Sequence, residues 1–177
     1  MSLILRIVAL PALLLGAVLL YAASKPNIFR VERSQNIEAP PEKIFALINN
    51  FHNWPLWAPQ DREDATMRRA FSGPESGAGA VSEWTSSGSA GRGRMAIIEA
   101  VPGQKISVQV DFVKPLAAHN INQFTLQPSG NVTRVTWSMQ GTNLFMMKFM
   151  SVFVNMDRMA GKHFESGLEN LKAAAEK

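Results

Sequence analysis

Apolar residues run unbroken near the start of the chain, then recur at helical spacing, then alternate along several strands, and at the end return to a helical stripe. Ile7 to Ala23 carries no charge and is dominated by Leu, Val and Ala, which predicts a helix apolar on every side. Phe29–Ile37 suits a first strand. Ala39-Pro40-Pro41 ends it, because the residue before a proline avoids the helical region. Pro41 fits the first turn of a helix, where its missing N–H costs nothing, and Glu42 suits the positive end of the dipole. Ile44, Phe45, Leu47 and Ile48 then give one apolar face, and Asn49-Asn50 closes the helix. Trp54-Pro55-Leu56-Trp57 follows as a tight aromatic turn. So short a segment cannot bury two indoles by itself, so the rings pack on distant residues or line a cavity.

A polar stretch, Asp61–Thr66, leads into short strands at Ala80–Thr85, Arg94–Ala100, Ile106–Val113, Asn120–Gln127 and Thr133–Gln140. Ile106, Val108, Val110 and Phe112 alternate with Ser107, Gln109 and Asp111; Val135, Trp137 and Met139 alternate with Thr136, Ser138 and Gln140. Pro102-Gly103 and Ser129-Gly130-Asn131 read as tight turns. Sequential strands joined by short turns predict an antiparallel sheet with one buried face. Beyond Gly141, Leu144–Val154 is apolar, and five of the nine methionines lie between Met146 and Met159. Such a segment suits a short helix packed on the sheet, or an adaptable lid over an apolar site. Asp157 is placed to cap a last helix with an apolar stripe of Ala160, Phe164, Leu168 and Leu171, and Glu165 to pair with Lys162 or Lys172. The fold class predicted is α+β, a curved antiparallel sheet wrapped around one long C-terminal helix. Residues 1–25 form an N-terminal membrane anchor and residues 26–177 a single folded domain.

The anchor follows from length. Ile7–Ala23 is 17 residues, about 25 Å as a helix, and including Leu3-Ile4-Leu5 gives 21 residues, about 31 Å. A hydrocarbon core is ~30 Å thick, so the expectation is a single-pass transmembrane helix, with Tyr21 at the interface. A cleaved signal peptide fits less well, since Leu20 or Tyr21 stands where cleavage prefers a small residue. Lys25, Arg30 and Arg33 after the span outweigh Arg6 and the terminal amine before it. The positive-inside rule thus places the domain in the cytoplasm, with the periplasm as the alternative.

Composition narrows the chemistry. The 177 residues include no cysteine, which excludes disulfides, thiolate metal sites and cysteine nucleophiles. The net charge of +4 is scattered, with short clusters only at Arg68-Arg69 and Arg92/Arg94. Nucleic-acid binding would want a basic stripe or a recognised motif, and neither is present. A mildly basic surface suits anionic lipid better.

The segments IEAPPEKIFALINNFHNWPLWAP, SGPESGAGAVSEW, GRGRMAIIEAVPGQKI, VTRVTWSMQG and NMDRMAGKHFESGLENLK together resemble the START-like, helix-grip (Bet v 1-like, SRPBCC) superfamily. Within it the chain is similar to bacterial polyketide cyclase/dehydrase and lipid transport proteins, over about Phe29–Lys172. The resemblance implies a space between sheet and helix. Trp57, Trp84, Phe112, Phe124, Trp137, Met139, Met156 and Phe164 are the candidates to line it. It also implies a small hydrophobic or lipid-like ligand, with no cofactor and no shared catalytic residue. Two alternatives stand beside this reading: a polyketide cyclase or dehydratase acting in the same space, and an accessory subunit of a membrane complex with a membrane-protein partner.

The remaining motifs carry less. The Gly-rich run Gly73–Gly93 does not join a strand to a helix as a phosphate cradle does, and reads as a hairpin beside a cavity mouth. His52, His119 and His163 lack metal-ligand spacing, and His163 falls beside the last helix's apolar stripe. Glu83, Glu99 and Asp111 lie on strands; one turned inward would gain a raised pKa and become a general acid or base. Glu83 is the best placed of the three, yet alternation with an inward Trp84 would point it outward.

Overall fold

The computed structural model describes residues 2–59, 64–88, 90–114, 117–143 and 145–177, without the side chains of residues 2–9, 11, 12 and 156. Asp61–Glu63 of the polar stretch, Leu144 and the Met156 side chain therefore lie outside the described set. The chain forms α1 (Ser2–Ser24), β1 (Ile28–Ile37), α2 (Pro41–Asn49) and a 3-10 helix (Phe51–Leu56). Six strands follow: β2 (Arg68–Ser72), β3 (Val81–Thr85), β4 (Arg92–Val101), β5 (Lys105–Lys114), β6 (Ala118–Ser129) and β7 (Val132–Thr142). Two helices, α3 (Phe145–Phe153) and α4 (Met156–Ala175), complete the chain.

All seven strands join one sheet in the order β1-β7-β6-β5-β4-β3-β2, and every pairing is antiparallel. The predicted alternation selects the buried face. On β1, Val31 and Ile37 are buried while Ile28, Arg30, Glu32, Ser34 and Asn36 face solvent. On β5 and β7, Ile106, Val108, Val110, Val135 and Trp137 are buried. Helices α2 and α4 cover this face, which gives the helix-grip arrangement expected from the sequence. Gly103 and Gly130 adopt positive φ in the turns where they were expected.

The short helix α2 is held at its C-terminal end by its neighbours' indoles. Ile44 and Ile48 are buried, and the carbonyls of Leu47 and Ile48 would otherwise be orphaned. The Trp57 and Trp54 Nε1–H groups donate to them at 3.1 and 2.9 Å. Asn50 Oδ1 accepts from the His52 amide at 2.8 Å and starts the 3-10 turn that presents both rings.

Four expectations are corrected. β2 was not foreseen, because RRAFS lacks a buried face: it is an edge strand with four exposed residues of five. Asp157 does not cap α4; Asn155 does, its Oδ1 accepting from the Arg158 amide at 2.9 Å. Asp157 and Glu165 instead hold Arg33 of β1, at 3.0 and 2.7 Å. The two carboxylates keep the guanidinium pKa raised, Asp157 contributing most. The transmembrane helix is not found in the structure: among the described residues no helix is long and apolar enough to cross a membrane. α1 nonetheless runs for 23 residues, about 34 Å.

Candidate functional site

The concave face of the sheet does not close completely on α4. A cavity of about 680 Å³ remains between them, within the range of small-molecule sites. Its wall combines rings from three places: Trp54 from the 3-10 turn, Trp84 and Phe112 from β3 and β5, and Trp137 and Phe164 from β7 and α4. Met67, Met95, Val110, Met139 and Ala160 fill the intervals.

Each ring is fixed by an identifiable neighbour. Trp137 stacks on Phe164 with centroids 4.3 Å apart and planes 8° from parallel. The helix approaches it closely because residue 167 is glycine; a Cβ there would lie 2.6 Å from the Trp137 ring. Trp84 meets Phe112 edge-on at 5.5 Å and lies across Gly93, where a Cβ would overlap the indole and stand 2.6 Å from the Asp111 carbonyl. Glycine at 93 therefore serves the cavity wall rather than flexibility.

Of the eight residues expected to line the cavity, Trp84, Phe112, Trp137, Met139 and Phe164 do so. Trp57 and Phe124 do not: both are fully buried in the solid core, with ring centroids 6.0 Å apart. Met156 lies outside the described side chains. Sequence reasoning left Trp54 open between packing and cavity lining, and missed Met67, Met95, Val110, Asn122 and Ala160. Of these, Val110 was legible, since it alternates in register with Phe112.

The wall also carries polar side chains, Asp64, Arg69, Asn122 and His163, beside its indole N–H groups. The indole N–H groups of Trp54, Trp57 and Trp84 all donate to backbone carbonyls, Trp84 to Ala90 at 2.9 Å. The Trp137 Nε1–H is buried and has no hydrogen-bond partner among the described residues. Asn122, on the neighbouring strand opposite Met139, is 7% exposed, lines the cavity, and its Oδ1 is likewise unpartnered. Buried tryptophan and amide groups usually find partners, and leaving one unsatisfied costs about 1–3 kcal/mol.

The ionisable candidates sit mainly elsewhere. Glu83 is exposed and Trp84 buried, as alternation requires. Glu99 pairs with Lys105 at 2.8 Å, which lowers its pKa against the opposing effect of burial. Burial pushes the Asp111 carboxyl up, but hydrogen bonds from His119 and Gln109 outweigh it and the net shift is downward. At the cavity rim, Asp64 accepts hydrogen bonds from Ser86 Oγ and from Thr66 Oγ1 and N, and its pKa is lowered, Ser86 contributing most. His163 lines the cavity, edge-on to Trp137 at 6.4 Å.

A sheet gripping a C-terminal helix around an aromatic-walled space defines the START-like class. The chain belongs to the family of polyketide cyclase/dehydrase and lipid transport proteins, whose pattern it matches over residues 29–176. No curated protein matches it. Among solved structures it is similar in fold to protein CV1439 from Chromobacterium violaceum, with 18% identity and a TM-score of 0.59 over 86% of this chain and 99% of that one. The Aha1 dimer from Colwellia psychrerythraea shares 19% identity at a TM-score of 0.56, covering 84% and 96%. The di-domain ARO/CYC StfQ from the steffimycin biosynthetic pathway shares 13% identity at 0.63, covering 84% of this chain and 51% of that one.

Proposed function

We propose that the protein is a membrane-attached carrier domain that binds a small, largely apolar, lipid-like molecule between the sheet and α4. The observation that carries this reading is the cavity itself, walled by Trp54, Trp84, Phe112, Trp137 and Phe164. Burying apolar ligand surface there is favourable by roughly 25 cal/mol per Å² before ordering costs. The unpartnered Trp137 N–H and Asn122 carbonyl offer one donor and one acceptor. They favour an amphiphile with a hydroxyl or similar oxygen function over a pure hydrocarbon. Attachment rests on the sequence of α1, whose uncharged Ile7–Ala23 run suits lipid on every side.

A cyclase or dehydratase acting in the same cavity would need a proton-transfer group facing its substrate. Glu83, Glu99 and Asp111 do not line the cavity, and Asp64 is held ionised by its hydroxyl donors. His163 is the residue that reading would have to use.

Titration with N-phenyl-1-naphthylamine, an apolar fluorescent probe, tests the binding site. Trp137→Ala is expected to weaken probe binding more than Leu56→Ala, which alters an exposed residue outside the cavity. Truncating a buried Trp costs ~3–5 kcal/mol of stability, so the comparison is made on variants shown to be folded. Equal probe affinity in wild type and Trp137→Ala would sink the cavity reading.

A further inference from the structure

Helix α3 is built inside out. Its charged residue, Lys148, is turned inward at 7% exposure, and Nζ donates to Asn27 Oδ1 at 2.6 Å. Phe145, Met146, Met150 and Phe153 face outward, Phe153 at 68% exposure. At about 100° per residue these four occupy an arc of about 140° on one side of the helix. A helix packed on a water-soluble domain shows the reverse arrangement, and a contiguous apolar face of this kind marks a covered surface.

The neighbouring helix identifies the cover. α1 packs along α3, and Lys25 just beyond its end donates to the Ser151 carbonyl and Oγ at 2.7 and 2.9 Å. The same ammonium lies 5.3 Å from the Tyr21 ring centroid. Lysine and tyrosine together are the pair that a membrane–water boundary favours. In α1 the consecutive residues Leu13, Leu14 and Leu15 are all exposed and project about 100° apart. One face of a protein partner cannot cover all three directions; lipid can. α3, on which α1 packs, shares that environment.

A second cavity, of about 620 Å³, opens beside α3; Phe29, Met147 and Val152 line it together with the charged Lys25, Arg30 and Asp157. It adjoins the inner cavity: Met139 and Ala160 line both. We infer that α3 lies in the bilayer interface with its apolar face among lipid acyl chains, so that this outer cavity opens onto the membrane and gives a lipid-derived ligand access to the inner one past Met139. The inference rests on the proposed carrier reading, and adds the surface through which the site is reached.

The chain has no cysteine, so a single introduced thiol carries all of the label. Full-length Met150→Cys, Phe153→Cys, Val152→Cys and, as control, Ile98→Cys on the exposed side of β4 are labelled with a nitrobenzoxadiazole fluorophore. They are reconstituted into phosphatidylcholine/phosphatidylglycerol vesicles with a doxyl spin label high on the acyl chain. Labels at 150 and 153, and at 152 inside the outer cavity, are expected to lose most of their emission to the doxyl lipid, while the label at 98 keeps its own. Quenching of 150 and 153 by aqueous iodide instead would overturn the inference. Shielding from both quenchers would also overturn it, since a protein partner or second copy would then cover α3. Naphthylamine binding by the same variants in detergent separates this result from the carrier reading. Probe binding without lipid quenching refutes only the seating of α3; quenching without probe binding refutes only the ligand site.

Discussion

Asn122 illustrates a residue retained against the interest of the fold. Its carbonyl is buried with no hydrogen-bond partner among the described residues, in a wall made mostly of rings and thioethers. Replacing it by an apolar side chain of similar size removes that penalty, so Asn122→Leu is expected to raise stability to urea by about 1 kcal/mol. The same change should weaken binding of a hydroxylated probe more than that of a pure hydrocarbon. Loss of stability in Asn122→Leu would show that the amide is satisfied in the free protein, and would remove the case for a polar contact with the ligand. Such a trade is common where a site needs polar groups that packing does not. At this scale alternation set Phe112, Trp137 and Met139 each on one face of its strand, and the family resemblance supplied the cavity that this face and Trp84 were expected to line. That expectation failed for Trp57 and Phe124, because line-of-sight to a cavity depends on which ring another ring covers. No local pattern carries that information. Nor could Gly93 or Gly167 be read as space reserved for an indole before the indole's position was known.

Among the elements, those with a period were found and those held by side chains were not. The strands β1 and β3 to β7 and the helices α2 and α4 follow from alternation, proline placement and an apolar stripe. β2 has no buried face, and is fixed instead by pairing with β3 from Arg68↔Thr85 to Ser72↔Val81. The approach to it is tied down by Asp64, whose carboxylate joins Thr66 to the β3–β4 turn through Ser86. The Ser87 amide in turn donates to Thr66 Oγ1 at 3.2 Å. This clasp forms part of the cavity rim, since Asp64, Gly88 and Ala90 all line it. The Asp64 pKa is depressed in the fold, so its contribution is fully present above the unfolded value of about 4 and is lost as pH falls through the lower folded value. Between neutral pH and pH 3 or below, hydrogen-exchange protection at Thr66 and Ser87, corrected for intrinsic rates, is expected to fall while that of β6 and β7 persists. Asp64→Ala should show the loosened rim already at pH 7. Protection at both amides that ignores pH and Asp64→Ala alike would mean that the clasp does not hold the rim.

For the whole molecule the decisive relation is between α1 with α3 and the gripped sheet. Among the described residues the core cluster runs from Val31 through Ala175 and takes no side chain from α1, whose Ala22 is buried outside it. The junction is tied behind α1 as well: Asn143 donates from its backbone to Asn27 at 2.7 Å and from its side chain to Pro26 at 3.1 Å. A chain beginning at Pro26 therefore keeps every strand, both gripping helices and the Arg33 clamp on α4. It is expected to unfold cooperatively in urea with a midpoint near that of the full chain, and to retain naphthylamine binding. What it loses is the helix beside α3. The apolar face of Phe145, Met146, Met150 and Phe153, exposed already in the full chain, remains as the one membrane-seeking surface, so the truncated domain should bind vesicles weakly and reversibly and self-associate in their absence. Analytical ultracentrifugation with and without vesicles reads both effects. A monomer that ignores vesicles would show that α3 is comfortable in water and that α1 alone makes the membrane contact. A chain that fails to unfold cooperatively would show that α1 belongs to the folded unit, and that the division at residue 25 is wrong.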